Sequence, residues 1–303
     1  MNKDITIIIC CYNAEEKLNK VLDKIYVQQE LEKYVYEIIV VDNHSTDSTK
    51  EVVFKYSKEK KSPSIKYIYE ARAGLSNARK AGVDACVTKW IAFLDDDNLI
   101  APDWITKIVQ YKNSNKEIGA FNGAVVPYIS SEIDEEEKEC LRASLKALAC
   151  THYNKEELSK KPKTPFRNPI GAGMVILADP LKELSDRGWL SSNGRTKDKL
   201  TSGEDTEMTE YVKKCGYKFG FCADAILYHD LGRKRLEKQY LKKLWYEMGQ
   251  GVSIAGRNYS KVMRKAYLGL LYIRLIEYRL QNKTKYAFYR IYIKGYRDAE
   301  RRK

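Results

Sequence analysis

Short apolar runs alternate with amphipathic stretches through the first half of the chain. Four runs have the length and composition of buried strands, at residues 5–10, 37–41, 65–69 and 90–94. In the stretch between the first two runs, residues 14–29, apolar side chains recur at helical spacing, which predicts a helix with one buried face. This alternation is typical of repeated βαβ units, so we predict an α/β fold with a largely parallel sheet flanked by helices.

The pattern is less regular in the second half. We predict strands at residues 118–126 and 225–228, and helices at residues 140–150 and 205–215. Thr201 and Ser202 are candidate caps for the second of these helices. Beyond residue 231 the pattern predicts helices rich in Lys, Arg and Tyr, and we divide the chain into three parts, 1–125, 126–231 and 232–303.

Charge separates the last part from the rest. The formal net charge is +13, yet residues 232–303 hold 20 Lys and Arg against 5 Asp and Glu, a net charge of +15. The remaining residues are close to neutral, so the basic character needs an explanation of its own, such as an anionic partner. Seven cysteines without regular spacing favour free thiols in a reducing cytoplasm. We expect no secretory signal and no membrane-spanning segment, since no apolar run approaches about 20 residues.

Three consecutive carboxylates, Asp95, Asp96 and Asp97, follow the apolar run at 90–94 with no basic residue among them. Ligands of open α/β sheets bind at the carboxyl ends of the strands, and Mg²⁺ and similar hard cations take oxygen ligands shared with substrate phosphates. The cluster therefore indicates a site for a metal and a diphosphate. A solvated acidic turn before the next helix is the alternative.

Two other predicted strands also end in polar segments. Residues 42–49 offer hydrogen-bonding side chains, and the loop after the third strand carries Arg72, Gly74 and Arg79 at the start of a helix. Helix N-termini and guanidinium groups both suit phosphate oxygens, although plain capping explains each segment taken alone. We expect these loops to converge with Asp95 on one edge. No Gly-x-Gly-x-x-Gly or Gly-Lys-Ser/Thr sequence supports a dinucleotide-binding or NTPase alternative.

Further candidates lie downstream. Glu204 and Asp205 open a predicted helix, where acids either favour the helix dipole or supply a general base. His229 follows the strand at 225–228 and is either a structural residue or a ligand. Two glycines at residues 168–174, Gly173 among them, permit a tight turn or close approach by a ligand.

Taken in order, these segments resemble family 2 glycosyltransferases. The resemblance rests on Cys11-Tyr12-Asn13, the Asp42-Asn43-x-Ser45-x-Asp47 run, Gly74-Leu75-Ser76-x-Ala78-Arg79, Leu94-Asp95-Asp96-Asp97 and Gly203-Glu204-Asp205. Such enzymes have the GT-A fold, a Rossmann-like, mostly parallel sheet, here with a helical C-terminal extension. The resemblance implies transfer of a sugar from a nucleotide-sugar, most simply a UDP-sugar, to an acceptor hydroxyl with inversion.

The resemblance also implies roles for individual residues. Residues 1–125 would bind the nucleotide-sugar and residues 126–231 would bind the acceptor and carry the base. Asp205 would be the base, with Glu204 as its neighbour, and Asp97 and His229 would ligate Mg²⁺ or Mn²⁺. Donor contacts are expected from Cys11, Tyr12, Asn13, Asp42, Arg72, Arg79, Asp95, Asp96, Gly173, Arg233 and Arg235.

The basic tail has two interpretations. A basic, aromatic-rich helix at residues 267–280 suits an anionic membrane surface, or it belongs to a helical hairpin with a solvated basic face. We expect no nucleic acid partner, because no nucleic-acid motif accompanies the charge. The expected acceptor is a glycan or a lipid-linked glycan in cell-surface polysaccharide or glycoconjugate assembly, at the cytoplasmic face of the membrane.

Two other functions stay open at this stage. A sugar nucleotidyltransferase has similar needs for metal and nucleotide, but it normally carries a Gly-rich, Arg-containing loop after the first strand, where this chain has Cys11-Tyr12-Asn13-Ala14. A catalytically silent, membrane-associated binding protein is the second alternative, and the intact Asp97 and Asp205 argue against it.

Overall fold

The structure, a computed structural model, describes residues 3–164, 166–190, 203–255 and 260–301. One mixed eight-stranded sheet forms its centre, in the order β3-β2-β1-β4-β7-β6-β8-β5. The strands are β1 (Ile5–Cys11), β2 (Val35–Asp42), β3 (Ser64–Tyr69), β4 (Trp90–Asp95), β5 (Asn98–Ile100), β6 (Ile118–Tyr128), β7 (Met174–Leu177) and β8 (Lys218–Asp230).

Parallel pairing joins β1 to β2 and β4, β2 to β3, and β6 to β8. Strand β7 pairs antiparallel with β4 and β6, and β5 pairs antiparallel with β8. Every residue of β1 is buried, as expected for a parallel strand covered by helices on both faces. The predicted α/β class with a mostly parallel sheet is confirmed.

Helices account for most of the remaining described residues. They are α1 (Leu18–Tyr26), α2 (Leu31–Tyr34), α3 (Thr49–Glu59), α4 (Leu75–Ala85), α5 (Trp104–Ser114), α6 (Glu135–Ser144), α7 (Lys155–Lys160), α8 (Ala178–Asp186), α9 (Glu204–Lys214), α10 (Lys238–Ala255), α11 (Lys261–Gln281) and α12 (Lys283–Arg301), with a short 3₁₀ helix at Arg233–Leu236. None of these helices is both long and apolar enough to cross a membrane.

One predicted helix was misplaced. The apolar spacing predicted a helix over residues 140–150, whereas α6 begins earlier, at Glu135, and ends at Ser144. Asp134 caps it through a reciprocal pair of hydrogen bonds with Glu137, and three Glu residues fill its first turn. Capping and the helix dipole therefore set the start of this helix. The spacing of apolar residues carries no information about either effect. Thr201 and Ser202, the predicted caps of α9, lie outside the described residues.

The chain forms two compact units. The larger unit contains all eight strands with α1–α5 and α7–α9, and the smaller contains α6, the 3₁₀ helix and α10–α12. This is the predicted α/β domain with a helical C-terminal extension. The assignment of a donor-binding half and an acceptor-binding half within the larger unit stays a prediction.

Close backbone contact between α10 and α12 organises the smaller unit. A Cβ added at Gly249 would lie 2.1 Å from the carbonyl oxygen of Tyr292, and one added at Gly295 would lie 2.0 Å from that of Tyr246. Only glycine fits such an approach. Near this close contact, the Trp245 ring of α10 stacks on the Phe288 ring of α12. The smaller unit therefore has an aromatic core of its own.

Candidate active site

Three strands end at one edge of the sheet of the larger unit. In the parallel register, Cys11 at the end of β1 lies opposite Asp42, and Cys10 lies opposite Asp95. Asp42 in turn lies opposite Tyr69, the last residue of β3. The segments after these strands therefore leave the sheet side by side, as the sequence predicted.

The loops after β1 and β2 are joined by hydrogen bonds. The Asn13 backbone N–H donates to Oγ of Ser45 at 2.9 Å, and Oδ1 of Asn13 accepts from the Thr46 N–H at 2.9 Å. Asn13 has φ of 49°, a left-handed conformation that Asn tolerates better than most residues. Ser45 and Thr46 thus hold Asn13 in place. The exposed Tyr12 precedes it.

Asp42 is almost fully buried at this edge, with 3% of its surface exposed. Its Oδ1 accepts from the Ser45 N–H at 2.9 Å and its Oδ2 accepts from the Tyr67 hydroxyl at 2.7 Å. Burial, reinforced by Asp42, raises the pKa of Tyr67, which keeps that hydroxyl a donor. The carboxylate is therefore held in one orientation. Tyr67 is a site residue that the strand pattern of residues 65–69 does not reveal.

Arg72 and Asn43 shape the neighbouring loop after β3. Asn43 Nδ2 donates to the carbonyl oxygens of Glu70 (3.2 Å) and Arg72 (2.8 Å), and its Oδ1 accepts from the Gly74 N–H at 2.8 Å. The Arg72 guanidinium makes two 2.9 Å hydrogen bonds to the Glu70 carboxylate and lowers its pKa. Arg72, predicted to contact the donor, is thus exposed and directed toward Glu70.

The acidic turn after β4 brings Asp97 to His229. Oδ1 of Asp97 lies 3.3 Å from Nε2 of His229, and both side chains are buried. Antiparallel pairing of β5 with β8 places Asn98 directly opposite His229, and Asn98 Nδ2 also donates to Asp97 Oδ1 at 3.1 Å. Two residues 132 positions apart are thereby joined by strand register. Asn98 is a further site residue that sequence analysis missed.

Asp97 and His229 fit the donor set of a divalent cation. Across the part of the chain that the structure describes, no three His, Cys, Asp or Glu side chains form a group that holds a metal by itself. A site with one carboxylate and one imidazole leaves coordination positions for substrate oxygens, which is how Mg²⁺ is commonly bound with phosphates. The two predicted metal ligands are brought together, and the metal itself remains a proposal.

A buried guanidinium lies behind the acidic residues. Arg79 is 3% exposed, and its Nη1 lies 3.6 Å from Oε1 of Glu204, which is equally buried. Burial lowers the Arg79 pKa, but the charges of Glu204, Asp95 and Asp205 outweigh it, so the pKa rises. Arg79 thus links the turn after β4 to the first residues of α9.

Gly171 completes this arrangement. A Cβ at Gly171 would lie 2.4 Å from Nη2 of Arg79, so the guanidinium packs directly on the glycine. The Gly171 N–H donates to Oδ2 of Asp205 at 3.2 Å. Gly173, predicted to contact the donor, has φ of +68° and faces Leu227, where an added Cβ would lie 2.8 Å from Cδ1. Its contact with the donor stays a prediction.

The two thiols at the end of β1 are buried. Burial, with help from Asp95 and Asp96, raises the pKa of Cys10 to about 12, although Arg79 opposes the shift. Burial likewise raises the pKa of Cys11, whose Sγ donates to the Val41 carbonyl oxygen at 3.5 Å. The raised pKa keeps both thiols protonated near neutral pH. The predicted contact of Cys11 with the donor stays a prediction.

Arg233 and Arg235, predicted to reach the diphosphate, belong to the smaller unit. Arg233 makes two hydrogen bonds to the Glu137 carboxylate, from Nε at 2.8 Å and from Nη2 at 3.1 Å. Arg235 is half-buried in the 3₁₀ helix. Their predicted contact with the donor stays a prediction.

Comparison with known proteins identifies the family. The model for glycosyl transferase family 2 matches residues 6–179, more than half of the chain. The chain belongs to glycosyl transferase family 2. The matched segment contains Asp42, Arg79 and the three carboxylates that follow β4.

Curated relatives are similar over part of their length. Glycosyltransferase GlyA of Streptococcus pneumoniae is 36% identical over 112 residues, 36% of this chain and 15% of that protein. An uncharacterized glycosyltransferase of Haemophilus influenzae is 33% identical over 184 residues, 57% of this chain and 51% of that protein. The succinoglycan biosynthesis protein ExoO of Rhizobium meliloti is 23% identical over 227 residues, which are 73% of this chain and 58% of that protein. The chain thus spans less than two thirds of each of these relatives.

Solved structures show the same fold. The mannosyltransferase PcManGT of Pyrobaculum calidifontis, in complex with GDP-Man and Mn²⁺, matches with a TM-score of 0.56 at 15% identity, covering 82% of this chain and 62% of that one. Residues 1–349 of S. aureus TarS, in complex with UDP-GlcNAc, match with a TM-score of 0.53 at 12% identity. The match covers 98% of this chain and 90% of that one. The chain therefore has the GT-A fold.

Proposed function

We propose that this family 2 glycosyltransferase moves a sugar from a UDP-sugar to an acceptor hydroxyl with inversion, using Mg²⁺ or Mn²⁺. The observation that carries the proposal is the buried Asp97–His229 pair, 3.3 Å apart, at the edge where β1, β2 and β4 end together. Family membership favours sugar transfer over the nucleotidyl transfer that the sequence also allowed. The Mn²⁺ and nucleotide-sugar complexes of GT-A neighbours support the donor class.

Donor recognition falls to the loops after β1, β2 and β4. Asp42, held by Ser45 and Tyr67, would accept a hydrogen bond from the uracil, and its fixed orientation favours one base edge. Tyr12 and Asn13 lie on the adjoining loop and would contact the nucleotide. Asp95 and Asp96, both half-buried after β4, would contact the ribose or water bound to the cation.

Asp97 and His229 would hold the cation. When bound, the cation neutralises the diphosphate and so stabilises the negative charge that develops on the leaving group. The buried positive charge of Arg79 adds to the field at the same edge. Arg79 would act on the donor through this charge, since its Nη1 is buried 3.6 Å from Oε1 of Glu204.

Asp205 is the better candidate for the base of the two acids that open α9. Glu204 is 4% exposed and lies beside Arg79, which offsets its charge. Asp205 is half-buried, and the Gly171 N–H orients its Oδ2. It would take the proton of the acceptor hydroxyl as that oxygen attacks the anomeric carbon, while the bond from this carbon to the diphosphate oxygen breaks. Attack opposite the leaving group inverts the configuration.

A glycan or lipid-linked glycan acceptor fits the relatives. ExoO carries succinoglycan biosynthesis in its name, and TarS was solved with UDP-GlcNAc. We place the reaction in polysaccharide or glycoconjugate assembly at the cytoplasmic face of the cell membrane.

The first test is calorimetric binding of UDP and of GDP to the purified protein, with Mn²⁺ and with EDTA. We expect Mn²⁺ to tighten UDP binding at least about tenfold, and Asp97→Asn to remove that gain, because a carboxylate ligand is lost. Asp186→Asn, which changes an exposed carboxylate of the same unit, is the matched control and should bind as the wild type does. UDP binding that is equally tight in EDTA would overturn metal dependence, and a preference for GDP would overturn the UDP assignment.

A further inference from the structure

Helix α11 of the smaller unit has an exposed apolar face. Six of its apolar side chains have exposed fractions between 56% and 84%: Val262, Met263, Leu270, Ile273, Ile276 and Leu280. At about 100° per residue, Val262, Ile273, Ile276 and Leu280 fall within about 60° of the helix circumference. We call these four residues the α11 stripe.

The opposite side of α11 faces its own unit. Leu271, 1% exposed and about 180° from Val262 on the helix, is buried. The Tyr267 hydroxyl lies 3.2 Å from that of Tyr292 on α12, and the Tyr278 ring packs edge-on against Tyr289. The inner side of α11 makes these contacts within the smaller unit, and the α11 stripe takes no part in them. Exposed contiguous apolar surface of this kind marks an interaction site.

Basic groups border the stripe. Lys265 and Arg279 lie along one margin of the stripe, and the exposed carboxylate of Glu277 lies along the other. Next to α11 lies an open cleft of about 330 Å³. Four basic side chains of α12, Arg290, Lys294, Arg297 and Arg301, line it together with one acid, Asp298, and with Tyr272, Leu275 and Ile293. These four recur at intervals of four, three and four residues, so they share one face of α12, and all are exposed.

We propose that α11 docks the smaller unit onto an anionic phospholipid surface, with the stripe among the acyl chains and the α12 cleft against the headgroup phosphates. A helix of 21 residues is about 31 Å long and, with basic groups along the margin next to the cleft, is suited to lie in the interface plane. The charge of the tail, +15 over residues 232–303, complements such a surface. The same charge opposes the pairing of two copies through this face.

Vesicle flotation tests the proposal with the full-length protein. We expect binding to vesicles of phosphatidylglycerol and phosphatidylcholine, at least about tenfold weaker binding to pure phosphatidylcholine, and weaker binding as salt rises. The double variant Ile273→Glu with Ile276→Glu should lose at least about tenfold in partitioning, because it places charge in the stripe. Lys294→Glu should weaken binding to anionic vesicles by a smaller factor, since it changes one charge of the cleft.

Val87→Glu is the matched control. Val87 is 68% exposed but lies in the larger unit, so this variant should bind vesicles like the wild type. Failure of the wild type to bind anionic vesicles, or equal binding by the stripe variant, would overturn the proposal. It would also be overturned if light scattering showed a dimer that the stripe variant abolishes while vesicles are not bound.

Membrane docking and donor binding involve different residues of the chain. None of the substituted residues belongs to the site at the end of β1, β2 and β4, so the stripe variant should bind UDP with unchanged affinity in the calorimeter. Loss of vesicle binding with retained UDP binding supports membrane docking on its own. Loss of both, together with a lower melting temperature, would attribute the effect to unfolding and would contradict a surface role for the stripe.

Discussion

Two arginines of one short segment have opposite environments. Sequence patterns predicted similar roles for Arg72 and Arg79, because both flank the start of the same helix. Arg72 is 66% exposed and pairs with Glu70, whereas Arg79 is 3% exposed and faces Glu204. A buried charge without its partner is costly, whereas an exposed pair contributes little. Loss of Arg79 should therefore lower the stability of the fold far more than loss of Arg72.

We expect Arg79→Ala to lower the free energy of unfolding by about 3–5 kcal/mol, because it leaves the buried Glu204 without its counter-charge. Arg72→Ala should lower it much less, since the Arg72 guanidinium is exposed to solvent. Urea denaturation followed by circular dichroism measures both. Equal effects of the two substitutions would contradict the buried pairing of Arg79.

The assignment of Asp205 as base is tested separately from binding. We expect Asp205→Asn to lower the rate of UDP release from UDP-GlcNAc by about 10²–10⁴-fold, the usual contribution of a general base. Its affinity for UDP should stay within about twofold, because Asp205 contacts the Gly171 N–H and is assigned no contact with the nucleotide. A variant that loses UDP affinity but keeps its turnover rate would contradict the assignment.

Loop-to-loop hydrogen bonds matter most at the scale of the elements. Asn13 joins the loops after β1 and β2, and Asn43 joins the end of β2 to the loop before α4. These contacts hold three separate strand ends as one platform. The pairing of β5 with β8 adds His229 to this edge, since it places His229 opposite Asn98 and so beside Asp97.

We expect Asn43→Ala to lower the free energy of unfolding by about 1–3 kcal/mol, because it leaves the carbonyl groups of Glu70 and Arg72 and the Gly74 N–H without their partner. Hydrogen exchange at the Gly74 amide should become faster. Asn19→Ala removes a single 3.3 Å hydrogen bond within the first helical segment and is the matched control, with an effect below about 1 kcal/mol. Unchanged exchange at Gly74 would show that Asn43 does not hold this loop.

At the scale of the whole molecule, most cysteines are buried free thiols. All seven lie within the described ranges as free thiols, six of them buried and Cys215 exposed. Burial raises the pKa of Cys10 to about 12 and that of Cys222 to about 11, from an ordinary value of 9.0. A thiol with a raised pKa stabilises the folded state while it is protonated in both states, and this contribution is lost as the pH rises.

We therefore expect the free energy of unfolding to fall as the pH rises from 9 toward about 12, because the unfolded chain releases these thiol protons first. Urea denaturation at pH 8, 9 and 10 measures the slope. Cys10→Ala should reduce the slope, whereas Cys215→Ala, at the exposed thiol, should change it less. A slope that Cys10→Ala leaves unchanged would contradict the raised pKa of this thiol.

The helical tail shows how local pattern and whole-molecule packing differ. Its amphipathic repeats predicted helices, and the net charge of residues 232–303 predicted an anionic partner. Which side of α11 stays exposed was decided by packing, because apolar residues occur on both of its sides. Leu271 faces inward while Val262 and Leu280 are left outside.

Local information in the sequence determined the α/β alternation, the acidic turn after β4 and the family motifs, because these depend on residues close together in the chain. Tertiary structure decided which distant residues meet: His229 with Asp97 through strand register, and Arg79 with Glu204 in the interior. It also decided that Gly171 packs on the Arg79 guanidinium. Burial and pairing of side chains arise only when separate elements pack together, so no local pattern of residue types specifies them.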